Sequence, residues 1–152
     1  MSFLSEILEY KAFYEQIAAF DRSNLGRLLI TGTEAPDLLE RLTTNKIIDL
    51  PLNTGVKTVI TTNKGRIIDL LYVYSTDKGL LVITSKNNQD TISSWIDYYT
   101  FGEDVTISNI SNSTAISNGK TSGCKNILEE CVLFLGDIWV FNNLVAPALG
   151  IK

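Results

Sequence analysis

Few side chains in this 152-residue sequence have the chemistry of a catalyst. Histidine is absent, which removes the usual general base, the commonest imidazole metal ligand and any serine–histidine or cysteine–histidine nucleophile pair. The two cysteines, Cys124 and Cys131, are too few for a disulfide framework and wrongly spaced for a zinc knuckle. No metal site is expected, and the thiols read as free and cytosolic. One acid stands out. Asp69 interrupts an apolar run, with Ile67 and Ile68 before it and Leu70 and Leu71 after it. A carboxylate placed there needs hydrogen-bonding partners or a ligand. The other reading is a residue on the exposed face at the start of a strand. Gly32 and Gly65 mark tight turns where positive φ suits glycine, and Asn45 sits where a helix C-cap is expected.

The chain that must position these groups is long enough for one domain, and at 45% hydrophobic residues it can build a core without staples. Its net charge of −4 and pI of about 4.8 argue against a nucleic-acid partner held by phosphate neutralisation. Basic residues gather early, at Arg22, Arg27, Arg41, Lys46, Lys57, Lys64 and Arg66. They suit either one locally positive surface or an ordinary mixed, solvated one. The opening residues Met1 to Glu6 lack the basic region and cleavage site of a signal peptide. The most apolar stretch, Cys131 to Ile151, is broken by Asp137, Asn142, Asn143 and Pro147, so no membrane partner is expected.

Hydrophobic periodicity supplies the elements. Phe3, Ile7, Tyr10, Tyr14 and Ile17 recur at three and four, which predicts an amphipathic helix over residues 3–20. Leu25 to Thr31 reads as a strand, and Thr33 to Pro36 opens a second helix buried through Leu38, Leu39 and Leu42. Val56–Thr61 and Ile67–Ser75 read as two strands of a hairpin joined by Thr62-Asn63-Lys64-Gly65-Arg66. Leu80 to Thr84 is a nearly all-apolar, central strand. A helix over Asn87–Tyr99 buries Ile92, Trp95, Ile96 and Tyr99, and Val105 to Ile110 is a last strand. The order β-α-β-β-β-α-β predicts an α+β, ferredoxin-like fold: a mostly antiparallel sheet with helices packed on one face. The Ser-, Asn- and Thr-rich stretch from Ser108 to Ser122 is the credible linker. It divides the chain into a lobe over 1–112 and a C-terminal extension over 113–152.

Three segments, in this order, resemble a known family. Phe20-Asp21-Arg22-Ser23 with Gly26, the strand and Gly32-Thr33-Glu34-Ala35 forms the first. Leu42-Thr43-Thr44-Asn45 forms the second, with Lys46 where the family commonly has an acid. Thr61-Thr62-Asn63-Lys64-Gly65-Arg66-Ile67-Ile68-Asp69 forms the third. Over roughly residues 15–115 the chain resembles the N-terminal lobe of aminomethyltransferases (glycine-cleavage T-proteins) and their folate-binding iron–sulfur-assembly relatives. Of the motif that marks the latter, only Gly123-Cys124-Lys125 is echoed.

The resemblance implies a reduced folate or related pterin as ligand, with tetrahydrofolate the cofactor of a one-carbon reaction. The family's second acid in Ile-Ile-Asp-Asp assists methylene transfer; here it falls on Leu70, so no catalytic residue is assigned. Asp69 holds the first acid's place and is expected to point to the opposite strand face. Family contacts carry over to Leu29, Asp69, Leu70, Tyr72, Tyr74 and Thr84. Both tyrosines suit an ordinary amphipathic strand equally well. The expected function is a partial or degenerate, cytoplasmic tetrahydrofolate-binding protein, weak in affinity and not catalytic alone. The alternative is a ligand-free interaction module that keeps the fold as a homo-oligomer or subunit. In either case the family's further lobes are expected to be missing and a homodimer to form.

Overall fold

The computed structural model describes residues 18–114, 116–120 and 131–134. The chain divides into two compact units, one of Ser23–Thr114 and one of Met1–Arg22 with Ala115–Lys152. In chain order the elements are β1 (Ala18–Asp21), β2 (Leu25–Thr31), α1 (Ala35–Leu42), β3 (Gly55–Thr61) and β4 (Ile67–Thr76). They continue with β5 (Gly79–Lys86), α2 (Gln89–Tyr98), β6 (Thr106–Asn109), β7 (Ile116–Lys120) and β8 (Cys131–Phe134).

The Ser23–Thr114 unit is an antiparallel five-stranded sheet in the order β3-β4-β5-β2-β6, with β5 at its centre. Register decides which side chains meet. Leu28 lies opposite Val82, Ile30 opposite Leu80, and Val73 opposite Val82. Directly paired residues share a sheet face. These side chains and Leu71 therefore line one face, and they are buried with Ala35, Leu38 and Leu39 of α1 and Ile92 and Ile96 of α2. Both helices thus pack on the same side of the sheet. The expected α+β architecture and the shared core face of strands 25–31, 67–75 and 80–84 are present.

Local chemistry fixes the helix ends and the sheet edge. Pro36 occupies the first turn of α1, where its missing N–H costs nothing. Before it, Gly32 (φ +113°) lets the chain press against the backbone of Asp104, where a Cβ would collide. The Asp104 carboxylate accepts from the Thr33 N–H and hydroxyl, both at 2.9 Å. Those bonds hold its pKa below the usual carboxylate value. At the other end, Thr43 and not Asn45 is the C-cap residue. Asn45 instead donates from Nδ2 to the Lys57 carbonyl at 2.6 Å, while the Thr44 N–H donates to Val59 O at 3.1 Å. The Thr43-Thr44-Asn45 segment closes the outer edge of β3, a need that outweighs helix capping.

The second unit contains a three-stranded antiparallel sheet in the order β1-β7-β8. Ala18 to Phe20, expected to finish the first helix, lie in β1 and pair with Lys120 to Asn118. A non-local ladder overrides the local helical spacing there. The rest of that helix, Cys124 and the tail beyond Phe134 lie outside the described residues.

Candidate functional site

Strand β4 carries two sets of side chains on opposite faces. Asp69 sits opposite Ile60 and shares the helix-covered face with Leu71 and Val73. It is 5% exposed. The carboxylate is fully engaged. Oδ2 accepts from the Ser85 N–H and from Asn88 Nδ2, each at 2.9 Å. Oδ1 accepts from the Ser85 hydroxyl at 2.5 Å and the Leu70 N–H at 2.8 Å. Asn88 is the N-cap residue of α2, so the acid also stands beside the positive end of that helix. The surface reading of Asp69 is overturned: the carboxylate ties β4 to the turn that starts α2.

Thr84 lies on the same side. It pairs with Gly26, is 2% exposed and donates its hydroxyl to the Ser85 carbonyl at 3.0 Å. A Cβ on Gly26 would strike both Thr84 and Gln89, so that glycine is what lets α2 approach.

The other four expected residues meet on the opposite face. Tyr74 pairs with Leu81, which pairs with Leu29, and Tyr72 pairs with Ile83. Leu70 pairs with Val59 and Tyr72 with Lys57. Leu70 is 47% exposed, Leu29, Tyr72 and Tyr74 are half-buried, and Leu81 and Ile83 are buried. Tyr74 leans over Gly55, where a Cβ would run into its ring. Lys57 Nζ lies 5.0 Å from the centre of the Tyr72 ring, a cation–π contact. The face is therefore an aromatic and aliphatic surface with one exposed ammonium group; Arg27, paired with Ile83, lies on it too but is buried, and the open part lies over β3 and β4.

Two groups escape a reading of the chain alone. Arg27 belongs by sequence to the early basic set, yet it is 1% exposed. Its Nη1 donates to the carbonyls of Ser23 and Leu25, Nη2 to those of Ser111 and Thr114, and Nε to the Thr114 hydroxyl. It binds β2 to the segment after β6 and contributes nothing to a positive surface. Its signal was an arginine inside an apolar strand. Ser85 and Asn88, the partners of Asp69, were the other omission. Their signal was a polar turn around Asn87, which adopts φ +59°.

Residues 3–130 match the GCVT N-terminal domain family. The chain is 32% identical over 134 residues to an aminomethyltransferase of Thermotoga maritima, covering 82% of this chain and 36% of that protein. A Staphylococcus carnosus aminomethyltransferase is 33% identical over 106 residues, covering 68% of this chain and 29% of that one. The fold is similar to that of the glycine cleavage system aminomethyltransferase T from Bartonella henselae. The TM-score is 0.66 at 12% identity, over 74% of this chain and 31% of that structure. The chain thus spans about a third of the length of the curated relatives it matches. Family match, sequence relatives and fold agree, and this chain belongs to the GCVT N-terminal domain family.

Proposed function

We propose that the chain is a partial, tetrahydrofolate-binding protein of one-carbon metabolism that does not catalyse aminomethyl transfer by itself. The observation that carries this reading is the composition of one sheet face. Leu29, Tyr72 and Tyr74 stand together where a flat pterin or aminobenzoyl ring can pack, and Leu70 stands where the family motif has its second acid. The residues present fit the rings of a reduced folate. They do not include a carboxylate for the transfer step, because the carboxylate of Asp69 faces the other way and has four donors already. A bound tetrahydrofolate would supply the one-carbon acceptor; Leu29, Leu70, Tyr72 and Tyr74 would hold and orient it. Asp69 and Thr84 act on the ligand indirectly, by fixing β4 and β5 against α2.

A complete site of micromolar quality corresponds to about −8 kcal/mol, and a lobe making half the contacts retains about −4 kcal/mol, which is millimolar. Calorimetric titration of the full chain with folinate tests this. Millimolar affinity is expected, and a monomer binding tighter than about 10 μM would show a more complete site than this. Assayed with tetrahydrofolate and the glycine-cleavage partner protein, the chain should show no turnover.

A second reading, a homodimeric interaction module in which the ligand is lost, is favoured by the half-exposed Leu70 beside Tyr72 and Tyr74. Two-fold pairing of such a patch is the commonest way to cover it. The two readings differ on the ligand, which the folinate titration decides, while light scattering over a concentration series decides the assembly state. The cytoplasm is the proposed compartment, since two cysteines outside any disulfide framework suit a reducing one. Among the described residues no helix is long and apolar enough to cross a membrane.

A further inference from the structure

We infer that Lys57 sets the charge preference of this face, so that it accepts a carboxylate-bearing ligand and disfavours a protonated amine. The inference rests on the folate-binding reading and sharpens it. Lys57 and Tyr72 are directly paired across β3 and β4, and Val59 and Leu70 form the next pair on the same face. Lys57 and position 70 are therefore diagonal neighbours, which a long side chain can bridge. An acid at position 70 would neutralise the ammonium. Leu70 cannot.

Lys57 instead lies over the Tyr72 ring, and no carboxylate among the described residues pairs with it. The Asn45 side chain grips the Lys57 carbonyl from the strand edge, so the backbone carrying the ammonium is pinned. The same Asn45 belongs to the Leu-Thr-Thr-Asn segment that closes the sheet. Apolar neighbours at Val59, Leu70 and Tyr72 offer no competing negative charge. Leucine where the family motif has an acid thus leaves Lys57 as an unneutralised charge on the exposed part of the face, since Arg27, on the same face, is buried. A ring system carrying a carboxylate tail gains from that charge. A cationic amine, which an acid at this position would have attracted, is repelled.

The test compares three probes on the full chain by calorimetry at low salt. They are folinate, which carries a dianionic tail, methyltetrahydropterin, which has the ring and no tail, and aminobenzoylglutamate, which has the tail and no pterin. For a single exposed charge, folinate should bind about fivefold more tightly than methyltetrahydropterin, and added salt should erase the difference. Lys57→Met should abolish the preference and Lys57→Arg should keep it. Leu70→Asp should abolish it as well, by pairing internally with Lys57. Aminobenzoylglutamate should bind the unaltered chain about fivefold more tightly than it binds Lys57→Met. Equal binding of folinate and methyltetrahydropterin, unchanged in Lys57→Met, overturns the inference and leaves the folate reading intact. Lys57-dependent binding of aminobenzoylglutamate without any pterin binding supports the inference and removes the pterin part of that reading. If no probe binds, both fall. Circular dichroism of each variant confirms that the fold is retained.

Discussion

Asp69 and Leu70 are adjacent on β4 and face opposite sides of the same sheet. On one side Asp69 is buried with Leu71 and Val73, and every carboxylate contact goes to β4, β5 or the start of α2. On the other, Leu70 is half-exposed beside Tyr72 and Lys57. The first face is where the chain spends its hydrogen-bonding capacity on folding. The second presents half-buried aromatic and aliphatic side chains and the Lys57 ammonium. The comparison shows why an acid in a family motif has to be assigned by face as well as by position: a shift of one residue along a strand moves a side chain to the other side of the sheet.

The largest effect should come from the helix-covered face. Leu71→Ala removes a fully buried side chain from the core and is expected to cost about 2–5 kcal/mol in urea unfolding. Asp69→Ala should follow, at about 2–3 kcal/mol, since it leaves the Ser85 and Asn88 donors without their acceptor. Asp69→Asn should cost less, because its remaining carbonyl still accepts. A neutral result for Asp69→Ala would mean that the carboxylate is not a structural tie.

Acid should act more locally. Glu40 is held below the ordinary carboxylate pKa by the backbone N–H groups of Ile48 and Ile47, and Asp104 by Thr33. A depressed folded-state pKa gives stabilisation that is present above the unfolded value and lost as pH falls through the folded one. Protection of the Thr33, Ile47 and Ile48 amides, measured against the intrinsic exchange rate at each pH, should therefore hold at neutral pH and fall only below the usual carboxylate range. Glu40→Gln should remove the acid step at Ile47 and Ile48 and leave the one at Thr33. The smallest stability effect is expected for Leu70→Asp, under about 1 kcal/mol, because the site is half-exposed. That variant should also fail to restore turnover, since a carboxylate helps only a positioned substrate.

Much of the fold was legible because the core strands announce themselves locally. Leu25 to Thr31 and Leu80 to Thr84 are apolar-rich runs that suit a sheet interior, and Leu38, Leu39, Ile92 and Ile96 fall at helical spacings. The failures share a cause. Ala18 to Phe20 obey a helical pattern, yet their partners lie at 118–120, about a hundred residues on, and local spacing carries no trace of such a ladder. Asn45 looks like a helix cap because capping is a local need, whereas the open edge of β3 becomes visible only once the sheet exists. Arg27 reads as surface charge until the carbonyls of residues 23, 25, 111 and 114 converge on it. Of the six candidate ligand residues, the alternation of β4 was enough to separate Asp69 from Leu70, Tyr72 and Tyr74. Thr84 needed the register of β5 against Gly26.

The division between the two faces is tested most directly by methyl-labelled leucine spectra of the full chain during titration with folinate. Leu29 and Leu70 methyl signals should move with ligand, and those of Leu28, Leu39 and Leu71 should stay in place. Movement confined to the second set, or no movement at ligand concentrations of several millimolar, would contradict the assignment of the Leu70 face as the ligand face.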